Sequence, residues 1–217
     1  MNKIIFLGVW MVFSANLIAQ VPVSSEPRHH PVFENKYLRL LDVWIPPRDT
    51  SLFHTHSTPS LFLHLSNTYI SSQLIGKEWI REQAIYGKTW FRSFSPDSMV
   101  HRVANLDKVP LHVIDIEILS GYDSLVTFEP MSLPLIYENE KSYAYRLTDS
   151  TINSNIIQNR GPMVATLAAG SKVHFYNANT NKSTEILQGK YLYIEPGTSF
   201  YFIPSKGEIN LVLFEIK

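Results

Sequence analysis

His54-Thr55-His56 is the part of this chain best suited to chemistry, and His101 brings a third imidazole from a distant segment. On a strand, side chains alternate between faces, so the two rings of a His-x-His unit point the same way, about 6.6 Å apart along the backbone. That is metal-ligand spacing.

The flanking sequence supplies the elements that must hold these rings. Residues 37–45 read as a strand, Pro46-Pro47-Arg48-Asp49 as a turn, and the next strand carries His54 and His56. Residues 90–94 form a short aromatic strand, Ser95-Pro96-Asp97-Ser98 a turn, and residues 100–104 a strand with His101 at its start. Further short runs rich in β-branched and aromatic residues fall at 60–65, 79–84, 111–119, 163–167, 191–194 and 209–216, separated by Pro, Gly, Asn, Asp and Ser clusters. No window has the periodicity of a long amphipathic helix. The pattern predicts an all-β chain of antiparallel jelly-roll barrels, with a small-molecule site in a barrel mouth.

With these residues in place, the chain resembles the cupin superfamily. The first cupin motif runs Gly, five residues, His-x-His, three or four residues, Glu, six residues, Gly; Arg48, His54, His56, Ser60 and Asn67 occupy those positions here. The second runs Gly, five residues, Pro-x-Gly-x-x-His, three residues, Asn, and is met by Trp90, Pro96, Ser98, His101 and Asn105. The resemblance implies tandem double-stranded β-helix barrels and one divalent transition metal, Fe(II) foremost and Zn, Mn or Ni also suited, on His54, His56 and His101. The family's glutamate ligand is Ser60, a poor ligand, so three neutral imidazoles would leave the ion its full charge and open positions. Asn67 is a milder change, since Asn tolerates a left-handed turn. His64 shares the parity of Ser60 but lies about 13 Å along the strand, too far to replace the carboxylate and better read as lining the pocket.

A second copy follows the first. Residues 59–67 lie over 162–170 without a gap, and 96–105 lie over 195–204, with Gly189 and Gly197 restoring the glycines that Trp90 and Ser98 replace. In that copy His54, His56, His101 and Asn105 become Ile157, Asn159, Phe200 and Pro204. The expected organisation is a metal-binding barrel over 21–120, a linker over 121–139 and a degenerate barrel over 140–217.

Residues 1–19 read as a secretory signal: Lys3, an apolar run over 4–13 too short to span a bilayer, and Leu17-Ile18-Ala19 before Gln20. A periplasmic or secreted protein without a membrane span is expected. With no cysteine, disulfides and a lipoprotein anchor are excluded. Lys and Arg balance Asp and Glu at 19 each, and no basic stripe is present, which argues against nucleic acid as a partner. A homodimer stays open.

A doubly charged three-His centre favours small anionic, chelating ligands: carboxylates, enolates, catecholates or thiolates. The resemblance includes three-His oxygenases, which makes O2-dependent oxidation the first reading. Phe62, Trp90 and Phe94 are candidate walls, Ser60 a donor to a substrate oxygen, Asn105 a residue that orients its loop, and Arg92 and Arg102 solvated arginines. His29, His30, His112 and His174 read as surface or loop residues, and no acid/base carboxylate is evident beside the cluster. The competing readings are a non-catalytic envelope protein that binds a small molecule or carbohydrate, and a zinc-dependent Lewis-acid enzyme.

Overall fold

The computed structural model describes residues 20–122 and 129–217. The expected signal peptide, residues 1–19, lies outside them.

The first half contributes β1 (Val21–Pro22), β2 (His29–Glu34), β3 (Leu38–Ile45), β4 (His54–His56) and β5 (Ser60–His64). It continues with β6 (Thr68–Leu74), β7 (Ile80–Ala84), β8 (Thr89–Arg92), β9 (Met99–Asn105) and β10 (Leu111–Ile118). The second half contributes β11 (Leu135–Glu138), β12 (Ser142–Thr148), β13 (Met163–Ala169) and β14 (Lys172–Asn177), then β15 (Lys182–Leu187), β16 (Tyr191–Ile194), β17 (Phe200–Pro204) and β18 (Asn210–Ile216). The helical content of the described residues is a single 3-10 turn, Val23–Ser25, and none of their helices is long and apolar enough to cross a membrane.

Each half pairs its strands into two sheets that make a jelly-roll barrel. In the first, β1-β4-β9-β6-β7 faces β2-β3-β10-β5-β8; in the second, β15-β14-β17 faces β11-β12-β18-β13-β16. The five-strand orders β2-β3-β10-β5-β8 and β11-β12-β18-β13-β16 match strand for strand, so the internal repeat seen in the sequence is also a repeat of topology. Leu135–Glu138 is a departure from expectation. It falls inside the stretch read as linker, yet pairs with β12 as an edge strand of the second barrel.

Period-two alternation explains the packing. On β3, Leu41, Val43 and Ile45 enter the first barrel with Phe62, Ile70, Phe94, Leu111 and Val113. The opposite face of the same sheet, with Leu38, Leu40, Leu61, Leu63, Ile114 and Ile116, packs on Val164, Ala168, Val212, Phe214 and Ile216 of the second barrel. Every residue of the central strands β5 and β10 is therefore buried, because the middle of this sheet is covered on both faces. The second barrel's interior is its own apolar core, with Tyr145, Met163, Leu167, Phe200 and Phe202 among its members.

Two turns show how the sequence departs from the motif's glycines. Arg48, at the first glycine position, adopts φ 64°, the left-handed conformation a glycine serves there. Asn67 does not use that conformation; its Oδ1 accepts the Tyr86 N–H at 2.8 Å instead.

Phe214 is fully buried between the barrels, so Phe214→Ala should lower the unfolding free energy by about 3–5 kcal/mol. Urea denaturation read from tryptophan fluorescence checks this across the interface, since Trp44, Trp79 and Trp90 all belong to the first barrel; an unmoved midpoint would show that the barrels unfold independently.

Candidate metal centre

Pairing of β4 with β9 sets His54 directly opposite His101, and opposite residues of an antiparallel pair share a face. The ring centroids of His54 and His101 are 4.5 Å apart, those of His54 and His56 5.1 Å, and those of His56 and His101 5.1 Å. His54 Nε2, His56 Nδ1 and His101 Nε2 are buried with no hydrogen-bond partner.

A fourth imidazole joins them that the sequence reading placed on the surface. His29, on β2 opposite Val43, is buried, with its ring 4.6 Å from that of His54 and 6.4 Å from that of His56. One ring nitrogen from each of His29, His54 and His56 lies within 4.8 Å of the others. No local signal could have found His29, because it stands outside both motifs and reaches the site only through β2–β3 pairing.

The ring tautomers follow from their partners. His54 Nδ1–H donates to the Leu52 carbonyl at 2.9 Å, which leaves the lone pair on Nε2. His29 Nδ1 lies 2.7 Å from Glu26 Oε2. Glu26 is itself buried and also accepts the backbone N–H groups of Arg28 at 2.7 Å and Leu52 at 3.0 Å. Burial pushes this carboxyl up, but the bonds from His29, Leu52 and Arg28 outweigh it and hold the pKa at about 2.

Burial also keeps His54, His56 and His101 neutral. It depresses His54 to about 4, with the charge of His29 adding to the effect, and His101 to about 3, with His54 and His29 adding. His56 is driven well below the ordinary histidine range by burial and its neighbours His101 and His54. Neutral rings with orphaned, inward nitrogens are the protonation state a metal requires. The donor set therefore fits a divalent metal ion.

A carboxylate does stand beside the cluster, contrary to the sequence reading. Asp115 Oδ2 is 3.9 Å from His56 Nδ1, and both Asp115 oxygens are buried without hydrogen-bond partners. Burial, and next the charge of Glu117, raises this carboxyl well above the usual range. An acid on the inward parity of Leu111 and Val113 was the available signal, and the second copy carries Leu213 there.

The cavity in front of these groups has a volume of about 520 Å³. Phe62 stacks on Trp90 at 4.9 Å, His64 meets the edge of Trp90 at 4.8 Å, and Phe94, held at φ 51°, lies flat on His56 at 4.9 Å. Arg92 also lines the cavity, 5.3 Å from the Phe94 ring. Arg102 instead packs between Phe53 and Trp79 outside it.

Ser60 differs from expectation. It is buried but absent from the cavity wall, and its hydroxyl donates to the Thr58 carbonyl at 2.9 Å, so it offers no proton to a substrate oxygen. Asn105 holds two turns together. Its Nδ2 donates to the carbonyls of Ile45, Pro46 and Val109, and its Oδ1 accepts the Asp107 N–H. His112 is also no surface residue: it is buried, stacked on Trp44 at 3.8 Å, with Nε2 2.7 Å from Asp42 Oδ1.

In the second barrel the bridge Ile157↔Phe200 stands where His54↔His101 stands in the first. Phe200 is fully buried in the apolar core.

No protein-family model matches the chain. No curated protein sequence matches it either. Solved structures do. AerE from Microcystis aeruginosa aligns with TM-score 0.60 at 13% identity over 88% of this chain and 98% of its own. The cupin 2 conserved barrel domain protein from Leptotrichia buccalis aligns with TM-score 0.55 at 10% identity over 87% and 88%. The salicylate 1,2-dioxygenase from Pseudaminobacter salicylatoxidans aligns with TM-score 0.57 at 10% identity over 89% and 77%.

His64 gives a pH test of this buried environment. Burial, with the charge of Lys88 adding, lowers it from the ordinary 6.5 to about 4. Between those values the unfolded chain is protonated there and the folded one is not, so the stability present above pH 6.5 is lost as pH falls, by roughly 2 kcal/mol at pH 5. His64→Leu should shrink the loss of unfolding free energy between pH 7.5 and pH 5 by about that amount in urea titrations. Equal losses in the two proteins would mean that His64 is solvated.

Proposed function

We propose that this chain, whose fold is the two-barrel fold of the cupin superfamily, is an exported metal-dependent oxygenase acting on a small anionic, chelating substrate. The observation that carries this reading is the convergence of uncharged imidazole nitrogens, lacking any protein partner, on a cavity with aromatic walls.

His54, His56 and His101 would hold a divalent transition metal, Fe(II) foremost. Such an ion supplies a Lewis-acid centre and, as Fe(II), one-electron chemistry with O2. The remaining work belongs to the side chains. Trp90 and Phe62 offer flat faces against which a planar substrate packs. Arg92 places a positive charge where an anionic group enters, Phe94 fixes the plane of His56, and the apolar walls keep water away. Salicylate, the substrate named for one protein of this fold, is an anionic chelating aromatic of the kind this cavity suits. The second barrel, filled by Phe200 and Phe202, buttresses the first and carries no chemistry.

Protein purified without chelator should contain about one divalent transition metal per chain, and a variant carrying both His54→Ala and His101→Ala should contain almost none. Elemental analysis of the two preparations decides the site, and equal contents defeat it. Oxygen-electrode traces with aromatic hydroxy acids, diketones and thiols decide the reaction: iron with substrate-dependent O2 uptake supports an oxygenase, whereas bound metal without uptake on any of them points to a binding protein or a zinc-dependent Lewis-acid enzyme.

A further inference from the structure

We propose that His29 is a fourth imidazole ligand of this centre, and that Glu26 is the positioning residue that fixes it. The inference rests on the metal-centre reading above and adds to it a residue that neither cupin motif contains.

The geometry leaves His29 few other roles. Its Nδ1 is committed to Glu26 Oε2 at 2.7 Å, so the nitrogen left for the cluster is Nε2. That ring approaches His54 at 4.6 Å between centroids, about as closely as His54 and His101 approach each other at 4.5 Å. A buried imidazole set among three others is a costly arrangement unless something inward uses its lone pair.

Glu26 has the features of a ligand-orienting carboxylate. Such a partner fixes the tautomer of a coordinating histidine, holds its plane and increases its basicity. Glu26 does this directly for His29 and also anchors the Leu52 backbone beside His54. One oxygen bonds His29 Nδ1, and the other accepts the N–H of Leu52, whose carbonyl receives His54 Nδ1–H. A carboxylate, absent from the motif position that Ser60 occupies, is thus present one hydrogen bond behind His29. It lies near the ion without touching it, its charge shared with the Arg28 guanidinium at 3.3 Å. A fourth imidazole also removes one of the open positions that three would leave, which narrows the ligands that can chelate there.

The test uses full-length metal-free protein titrated with Co(II). His29→Asn keeps an amide donor where Nδ1 reached Glu26 but has no counterpart to Nε2. It should bind Co(II) about 10- to 100-fold more weakly than wild type, as should Glu26→Gln. At saturating Co(II), the visible d–d bands of His29→Asn should shift, a signature that a purely structural role does not produce. Wild-type affinity and spectrum in His29→Asn, with binding lost in His54→Ala, overturn the inference and leave the metal centre standing. No Co(II) uptake by wild type removes both. Zinc K-edge EXAFS on wild-type protein needs no variant to fold: four imidazoles support the proposal and three overturn it.

Discussion

A sheet whose centre is covered on both faces governs this molecule. Strands β10 and β5, with most of β3, present one surface to the interior of the first barrel and the other to the second barrel, so their side chains are placed by packing on both sides. Leu61, Leu63, Ile114 and Ile116 lock one face against Val212 and Phe214. On the other face, the same strands hold Phe62, His64 and Asp115 toward the cavity. Close packing of this kind resists small displacements, so the floor of the site inherits its rigidity from an interface that contributes no functional group.

The walls and the rings of the site obey a second constraint, desolvation. Bringing His29, His54, His56 and His101 together would be ruinous if they were protonated, since four cations would share one buried space. Burial instead depresses the pKa values of His54, His56 and His101 and keeps those rings neutral. The anion behind them, Glu26, is stabilised by the donors around it and paired with the Arg28 guanidinium at 3.3 Å. The site is thereby arranged to receive a cation: His54, His56 and His101 uncharged in front, the Glu26 carboxylate behind His29, and a carboxyl, Asp115, held by burial toward its neutral form.

The second barrel is an internal control. It has the same strand order and the same cross-barrel bridge, but Ile157, Phe200 and Leu213 stand where His54, His101 and Asp115 stand in the first. One scaffold thus supports either a cavity ringed by imidazoles and aromatic side chains or an apolar core, depending on a few inward positions. The fold alone says nothing about which; the side chains do.

Alternation along single strands was legible in the sequence, and it determined the all-β class, the repeat, the shared face of His54 and His56, and the loss of ligands in the second copy. Those are local properties, fixed by a period of two within a few residues. Pairing between distant strands was not legible, and it decided the rest. His29 looked like a surface residue until β2 lay beside β3, and no acid stood beside the cluster until β10, lying beside β5, brought Asp115 to it. The range read as a linker contained β11 because an edge strand is made by the neighbour it finds. Register between strands far apart in the chain is set by how whole sheets bury their faces. That is why the sequence could name the paired histidines, while only the tertiary structure could supply the fourth ring and the acids that surround them.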